Sequence, residues 1–333
     1  MKKIIYTLIA LILLAMGLIT FWVHNTLNEK ILTPENTYIT LKYGTSSDRI
    51  IKQFNEIGIF KPSWFFKYYL RYQYSSRKAF ISAGTYQIPI EITNSDLIDK
   101  LFTRKLLFRN KITIPEGSNL FEIARIISQK MKFDSSEVIN LLQNKDFAKK
   151  NNVHAKSLEG YLMADTYFFE ENQSLEKILN FLIKQQKTYI DLILRDNKTK
   201  LDEYQILTLA SIIQAETSKL NEMPIVSSVY HNRLKIGLLL QADPTLLYPV
   251  FPRKIIYKSD LRKNSPYNTY KNPGLPPTPI NCPSKEAIYA AVHPSETNYL
   301  YFVLKADNSG SHNFSTNYSE HLQNVRKFKK TRK

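Results

Sequence analysis

The sequence predicts a mixed α+β chain that begins with an apolar helix. An uncharged apolar run comes first, short alternating runs then stand between segments of helical spacing, and the last third joins apolar helices to polar turns. A length of 333 residues allows two or three domains. We expect a tail (1–3), a transmembrane anchor (4–23), a linker (24–37), a small α/β module (38–108), an intermediate region (109–200) and a mixed α+β core (201–333).

Residues 4–23 carry no charge and, as a helix, span about 30 Å, the thickness of a bilayer's hydrocarbon core. Trp22 stands where aromatic residues meet the membrane interface. Ala15-Met16-Gly17 resembles a signal-peptide cleavage site, but the apolar run continues past it, which favours an uncleaved single-pass anchor. Because Lys2 and Lys3 precede the run, we expect the N-terminus in the cytoplasm and the remainder outside the cytoplasmic (inner) membrane.

The net charge of +17 predicts either an anionic partner, such as nucleic acid, anionic lipid or a wall polymer bearing carboxylates, or a lysine-rich composition that merely keeps the surface soluble. No nucleic-acid-binding motif is present, so we expect no nucleic-acid partner.

A single cysteine, Cys282, excludes internal disulfides and a multi-cysteine metal site. With no metal motif or phosphate-binding glycine loop either, we expect no metal and no cofactor. Residues 326–333 form a basic tail that is either solvated or in contact with anionic lipid.

The small module is predicted from five successive patterns. A strand at 38–43 leads into an amphipathic helix through Ile50 and Phe54, an aromatic-rich helix covers 64–74, and a turn at Gly84 leads into a strand before a helix at 96–102. The aromatic helix either packs in the core or stacks on sugar rings.

The intermediate region is predicted to contain a strand at 111–115 and a helix at 120–130 capped by Ser118. Further helices are expected at 135–144 and 175–194. The motif between them, residues 157–169, includes Glu159 and Asp165, which are either groove residues or structural acids.

One acidic residue occupies an apolar helical face near the start of the core. Ile206, Leu209, Ala210 and Ile213 recur at helical spacing, and the next step of three reaches Glu216. Burial of a carboxyl group costs stability unless the group is paired or its pKa rises. The pattern therefore predicts either a satisfied buried glutamate or a general acid.

The following segment is predicted to turn back toward Glu216. Asn221 is expected to cap a second helix, which Gly237 ends. A polar turn follows at residues 241–245. This helix–turn–helix–loop brings together five candidate site residues: Glu216, Asn232, Arg233, Gln241 and Asp243.

At this point the sequence resembles the YceG-like family of endolytic murein transglycosylases. The resemblance rests on residues 210–248 together with the motifs IPEG (114–117), SLEGYLMADTYFF (157–169), SPYNTY (265–270), GLPPTPI (274–280) and YLYFV (299–303), and on the tail around His312 and His321. Gln214 stands where the family often has a second glutamate. Glu216 matches the family's catalytic acid.

The resemblance implies a single-acid mechanism on peptidoglycan glycan strands. Glu216 would protonate the bond between N-acetylmuramic acid and N-acetylglucosamine, the muramic C6 hydroxyl would attack, and a 1,6-anhydro end would terminate the strand. It also implies a LysM-like module at 38–108, with peptidoglycan synthases as candidate partners. Substrate contacts are expected from Asn232, Arg233, Gln241, Asp243, Thr245, Tyr267 and Asn268.

Two alternatives stay open at the level of sequence. In a two-carboxylate muramidase, Asp243 would serve as the second carboxylate, although it also suits a turn before Pro244. A non-catalytic wall-binding scaffold would account for the anchor and the basic surface, but it has no need of Glu216 on an apolar face.

Overall fold

The structure, a computed structural model, describes residues 2–35, 37–195, 199–249 and 255–331. The chain divides into two compact units. The first unit consists of Met1–Asn110 and Phe169–Asn172, and the second of Lys111–Phe168 and Gln173–Lys333. Helices and short antiparallel pairs occur in both, so the predicted α+β class is confirmed. Met1 and the last two residues of the predicted basic tail, 332 and 333, lie outside the described residues.

The first unit contains four helices and four strands among its described residues. The helices are α1 (Lys2–Asn28), α2 (Ser47–Glu56), α3 (Ser63–Arg77) and α4 (Asn94–Phe102), and the strands are β1 (Lys30–Leu32), β2 (Thr37–Leu41), β3 (Gly84–Ile88) and β4 (Glu91–Thr93). The pairs β1–β4 and β2–β3 are both antiparallel. Apolar side chains from α2, α3, α4 and these strands form one core, which includes Phe54, Phe66, Tyr86 and Leu97.

The helix α1 is apolar enough and long enough to cross a bilayer, by length and composition alone. A signal sequence meets the same criteria. Side chains 3–22 are exposed throughout, so α1 packs against the first unit only near its end. There the Asn94 amide donates a hydrogen bond of 3.0 Å to the Thr26 carbonyl.

The second unit supplies the framework of the candidate site. Its helices are α5 (Leu120–Met131), α6 (Ser135–Leu142), α7 (Lys145–Lys150), α8 (Leu175–Arg195), α9 (Glu203–Glu216), α10 (Met223–Lys235), α11 (Lys285–Val292) and α12 (Tyr318–Lys330). The strands β5 (Arg109–Ile114) and β6 (Asp165–Glu170), most of whose residues belong to this unit, form one pair. The strands β7 (Tyr301–Leu304) and β8 (His312–Ser315) form an antiparallel pair. Both α10 and α11 pack against α9.

Two of the predicted helix caps are wrong. Asn119, rather than Ser118, caps α5: its Oδ1 accepts from the Glu122 N–H at 3.0 Å, and the Glu122 carboxylate accepts from the Asn119 N–H at 2.9 Å. The Ser118 hydroxyl instead donates to the Pro115 carbonyl.

Asn221 does not cap α10 either. Glu222 occupies the N-cap position without a side-chain cap. Its carboxylate is used elsewhere, because it accepts from the His312 backbone N–H at 3.0 Å and lies 2.7 Å from His312 Nδ1. Both side chains are buried, so this contact joins the start of α10 to β8.

Candidate active site

The helix α9 carries the candidate acid. Its start is fixed by a capping box, in which Asp202 accepts from the Gln205 N–H and Gln205 accepts from the Asp202 N–H. Residues 206–213 are buried without interruption, which marks α9 as a core helix. The helix ends at Glu216 because Thr217 is extended. A carboxyl group thus terminates a helix embedded in the core.

The Glu216 side chain is held from one side by α10. The hydroxyl of Tyr230, which is 1% exposed, donates a hydrogen bond of 2.8 Å to Glu216 Oε1. Burial raises the pKa of Glu216 to about 7; the hydrogen bond from Tyr230 and the charge of Arg233 oppose this rise, whereas the charge of Asp243 adds to it. A carboxyl group with this pKa retains its proton in a large fraction of molecules at neutral pH.

Glu216 lies between two cavities in the second unit, and Asp243 lines both of them as well. The first cavity, of about 280 Å³, is lined mainly by apolar groups: Asn119, Ala215, Glu216, Asp243, Pro244, Leu247, Tyr248, Ile256, Ile280 and Asn281. The second, of about 220 Å³, is polar and aromatic: Glu216, Tyr230, Arg233, Leu240, Gln241, Asp243, Tyr270, Tyr301, Phe302, Tyr318 and His321. A linear polymer that passed Glu216 could occupy both cavities.

Of the predicted site residues, four share the second cavity: Glu216, Arg233, Gln241 and Asp243. The guanidinium of Arg233 donates to the carbonyls of Leu300, Leu239 and Leu240, so it also fixes the loops around the cavity. Burial lowers the pKa of Arg233.

The Asp243 carboxylate accepts a hydrogen bond of 2.6 Å from the Tyr270 hydroxyl. Asp243 is exposed and begins a short 3-10 helix, Asp243–Leu247. Gln241 stands just before this turn with a positive φ of 49°, and its backbone N–H donates to the Thr269 carbonyl. The backbone of this loop is therefore fixed, while the Gln241 side chain is exposed.

The other four predicted site residues line neither of these cavities. The Asn232 amide donates to the carbonyls of Thr297 and Tyr299, and the Asn268 amide donates to those of Leu261 and Lys263. Thr245 is buried, where its hydroxyl donates to the Ala242 carbonyl at 2.8 Å. The Tyr267 hydroxyl lies 3.0 Å from that of Thr278. In the structure these side chains organise the loops around the site, and their contact with substrate stays a prediction.

Sequence reasoning missed several cavity residues. Tyr230 gave no signal, because a tyrosine on an apolar helix is normally a core residue. Tyr301 and His321 belong to motifs singled out above, but the stack between their rings, with centroids 5.2 Å apart, depends on α12 returning to β7. The Arg233 guanidinium lies over the Tyr301 ring at 5.2 Å. These contacts build the aromatic side of the second cavity.

The two acids of the motif at 157–169 differ in their surroundings. Glu159 is buried; it accepts from the Leu120 N–H at 3.3 Å and is hydrogen-bonded to Tyr248. Asp165 is exposed and lies 3.4 Å from the Lys285 ammonium. Within the part of the chain that the structure describes, no group of three His, Cys, Asp or Glu side chains is placed to hold a metal ion.

A carboxyl group with a raised pKa that lines two cavities is suited to general-acid catalysis on an extended substrate. The model of the YceG-like family matches residues 39–327. The chain belongs to this family.

Similar proteins include an endolytic murein transglycosylase of Bacillus subtilis, which is 33% identical over 308 residues covering 87% of this chain and 84% of the relative. An endolytic murein transglycosylase of Streptococcus pneumoniae is 26% identical over 86% of this chain, which spans 58% of that relative. A crystal structure of a YceG-like protein from Listeria monocytogenes aligns with a TM-score of 0.59 and 28% identity, over 87% of this chain and 99% of that one.

Proposed function

We propose that the chain is an endolytic peptidoglycan transglycosylase, a lyase that cuts within glycan strands and uses Glu216 as its acid and base. The observation that carries this proposal is the position of Glu216. Its pKa of about 7 suits proton donation near neutral pH, and it faces two cavities that can hold sugars on both sides of a cut. The names of the similar proteins from Bacillus and Streptococcus support the same activity.

The reaction needs one carboxyl group. Tyr230 engages Glu216 Oε1, so we assign Oε2 as the atom that delivers the proton to the glycosidic oxygen. The bond from muramic C1 to that oxygen breaks as the C6 hydroxyl of the same sugar attacks C1. The ionised Glu216 then accepts the C6 hydroxyl proton, which restores its starting state. No water is consumed, because the nucleophile is already part of the substrate.

Three further side chains are placed to contact sugars next to Glu216. The exposed Gln241 offers an amide to an N-acetyl group, and Arg233 carries a positive charge in a cavity that the lactyl carboxylate of muramic acid could enter. Asp243 is held by Tyr270 and can accept from a sugar hydroxyl. Asn232, Thr245, Tyr267 and Asn268 act in this proposal by fixing the loops, since each of these side chains is hydrogen-bonded within the protein.

A two-carboxylate hydrolase is the second candidate, because Asp243 lines the same two cavities as Glu216. In that reaction Asp243 would be the base or nucleophile. A non-catalytic scaffold is less well supported, since burial of the Glu216 carboxyl group costs stability that wall binding alone would not require.

The test is digestion of purified murein by the full chain in detergent, with product ends identified by mass spectrometry. We expect 1,6-anhydro ends, lighter by one water than reducing ends, from cuts within strands and without added metal. Glu216→Gln should lower the rate by about 10² to 10⁴-fold or more while the protein stays folded. Mainly reducing ends, together with an Asp243→Asn variant as inactive as Glu216→Gln, would favour the hydrolase.

We further propose that α1 is an uncleaved single-pass anchor in the cytoplasmic membrane, with its N-terminus inside and the chain that follows it outside. The charge-free run within α1 and the preceding lysines support this orientation. Residues 38–108 then form a LysM-like module, supported by the order β2-α2-α3-β3 with β2 and β3 paired antiparallel. Residues 109–200 form the intermediate region and 201–333 the catalytic core. Peptidoglycan synthases are the candidate protein partners.

A further inference from the structure

One face of α3 carries large aromatic side chains that remain exposed. Trp64, Tyr68 and Tyr72 are 59%, 65% and 65% exposed, and their spacing of four residues places them along one side of the helix. The opposite side, with Phe66 and Leu70, is fully buried in the core of the first unit. The exposed side is therefore not needed to hold α3 in place.

This aromatic face begins beside the end of the candidate membrane helix. The rings of Trp22 in α1 and Trp64 in α3 are stacked, with centroids 5.7 Å apart and planes 5° from parallel. Phe65 meets Trp22 edge-on at 5.1 Å. Both helices belong to the same compact unit.

The position of Trp22 along α1 sets the level of this contact relative to a bilayer. From Ile4 to Trp22 the helix rises about 27 Å, so Trp22 falls close to the outer boundary of a hydrocarbon core of about 30 Å. Trp64, stacked on Trp22, then lies at the same boundary. Tryptophan and tyrosine favour this depth because their rings enter the acyl region while their polar groups stay hydrated.

Basic side chains accompany the aromatic face. Lys67 and Arg71 stand one turn and two turns after Trp64, and both pair with Asp48, at 2.9 Å and 3.2 Å. Two cations thus share one carboxylate, which leaves an excess of positive charge. The exposed Lys52 and Lys61 lie on the flanking segments. Exposed tryptophan and tyrosine rings favour the membrane interface, and basic side chains next to them are attracted to anionic lipid.

We propose that the Trp64–Tyr68–Tyr72 face of α3 is a second membrane contact, which lies in the interface of the bilayer that α1 spans. It holds the part of the first unit that follows α1 on the lipid surface, so this part cannot rotate freely about the end of α1. The occupant is a bilayer surface containing anionic lipid. The proposal rests on the membrane anchor proposed above, and the experiment separates the two.

Trp22 and Trp64 are the two tryptophans of the chain, so each can be made the sole fluorescent reporter. The full chain is reconstituted into vesicles of phosphatidylcholine and phosphatidylglycerol that carry bromine either near the headgroup end or near the methyl end of the acyl chains. Trp22→Phe leaves Trp64 as the reporter and keeps an aromatic ring in the stack. Trp64→Phe leaves Trp22. In a chain lacking both, Tyr68→Trp and Tyr72→Trp report the rest of the face.

The matched control is Tyr43→Trp in the same tryptophan-free chain, because Tyr43 is 98% exposed in the first unit but belongs to neither α1 nor α3. We expect Trp64 to be quenched more strongly by bromine near the headgroups than near the methyl ends, with a blue-shifted emission, and the reporter at position 43 to be quenched far less. Substitutions that leave murein cleavage unchanged confirm that the chain stays folded.

Quenching of Trp22 without quenching of Trp64 would overturn the α3 contact and leave the anchor standing. Absence of quenching at both positions would overturn the anchor and the contact together. Equal quenching at position 43 would show lipid contact without use of this face. A response of Trp64 to soluble murein fragments but not to brominated lipid would make the face a saccharide surface instead.

Discussion

The hydroxyl of Tyr230 donates a hydrogen bond of 2.8 Å to Oε1 of Glu216. Tyr230 is fixed by the core around α10, so the hydroxyl does not depend on solvent for its position. This hydrogen bond stabilises the ionised form of Glu216 and partly offsets the effect of burial on its pKa. In the proposed reaction Tyr230 therefore acts through Glu216, as a positioning residue.

Replacement of Tyr230 by phenylalanine should move the pH profile of murein cleavage. The ionised carboxylate loses a hydrogen bond of about 1.5 kcal/mol, so the pKa of Glu216 rises by about one unit. The protonated acid then persists to higher pH, so the alkaline limb of the pH profile shifts to higher pH. The measurement is the cleavage rate of the variant and the parent across the pH range. A uniform loss of rate with an unmoved alkaline limb would assign Tyr230 a purely structural role.

Glu216→Gln should stabilise the fold above neutral pH. The pKa of Glu216 is raised from 4.5 to about 7 in the folded protein, so folding takes up a proton between these values. The protonated group contributes to the free energy of unfolding in full below pH 4.5. This contribution declines as the pH rises to about 7, by up to about 1.4 kcal/mol per pH unit.

Glutamine does not ionise, so this decline is absent in the variant. After allowance for the partial exposure of Glu216, we expect the free energy of unfolding of the variant to rise by about 1–3 kcal/mol relative to that of the parent between about pH 5 and about pH 8. Denaturant unfolding at the two pH values measures this difference. If the difference in unfolding free energy between variant and parent were the same at both pH values, the carboxyl group of Glu216 would have an ordinary pKa in the folded protein.

Gly160→Ala should destabilise the second unit more than Gly274→Ala. Both glycines have a φ of 80°, so alanine is strained at either position. A Cβ at Gly160 would lie 2.6 Å from the Cβ of Pro279, whereas a Cβ at Gly274 meets nothing within 4 Å. Backbone strain costs about 1–2 kcal/mol in each variant, and crowding adds about 1–3 kcal/mol at Gly160 alone. Thermal unfolding of the two variants measures the difference. Equal losses of stability in the two variants would contradict the prediction.

The sequence predicts well those parts of this protein that depend on local patterns. The apolar run of α9, with Ile206 and Ile213 in the core and Glu216 at its end, follows from helical spacing alone. The choice of cap is less certain from sequence, because Ser118 and Asn119 are adjacent capping residues. Asn119 is the cap because Glu122, three residues on, completes the capping box.

The cavity walls could not be predicted because they depend on contacts between distant segments. Tyr270 reaches Asp243 across 27 residues, and Arg233 meets the Leu300 carbonyl across 67. Asn268 looks like a ligand contact in the sequence, yet its amide already serves two backbone carbonyls of its own loop. Polar residue type suggests a site, but only the fold decides which polar groups still have hydrogen-bonding capacity to offer.

The position of Glu216 between two cavities bears on the sizes of the fragments released. If the acid lay at the closed end of a single cavity, the terminus of the strand would bind at that end, and each cut would fall a fixed number of sugars from the terminus. In the proposed reaction the sugars that define a cut are the few that occupy the two cavities on either side of Glu216, so the distance to the terminus does not enter. Every bond presented to the site then has the same chance of breaking. Fragment lengths should follow a geometric distribution, whose mean is set by how long a strand stays in contact rather than by a ruler within the protein.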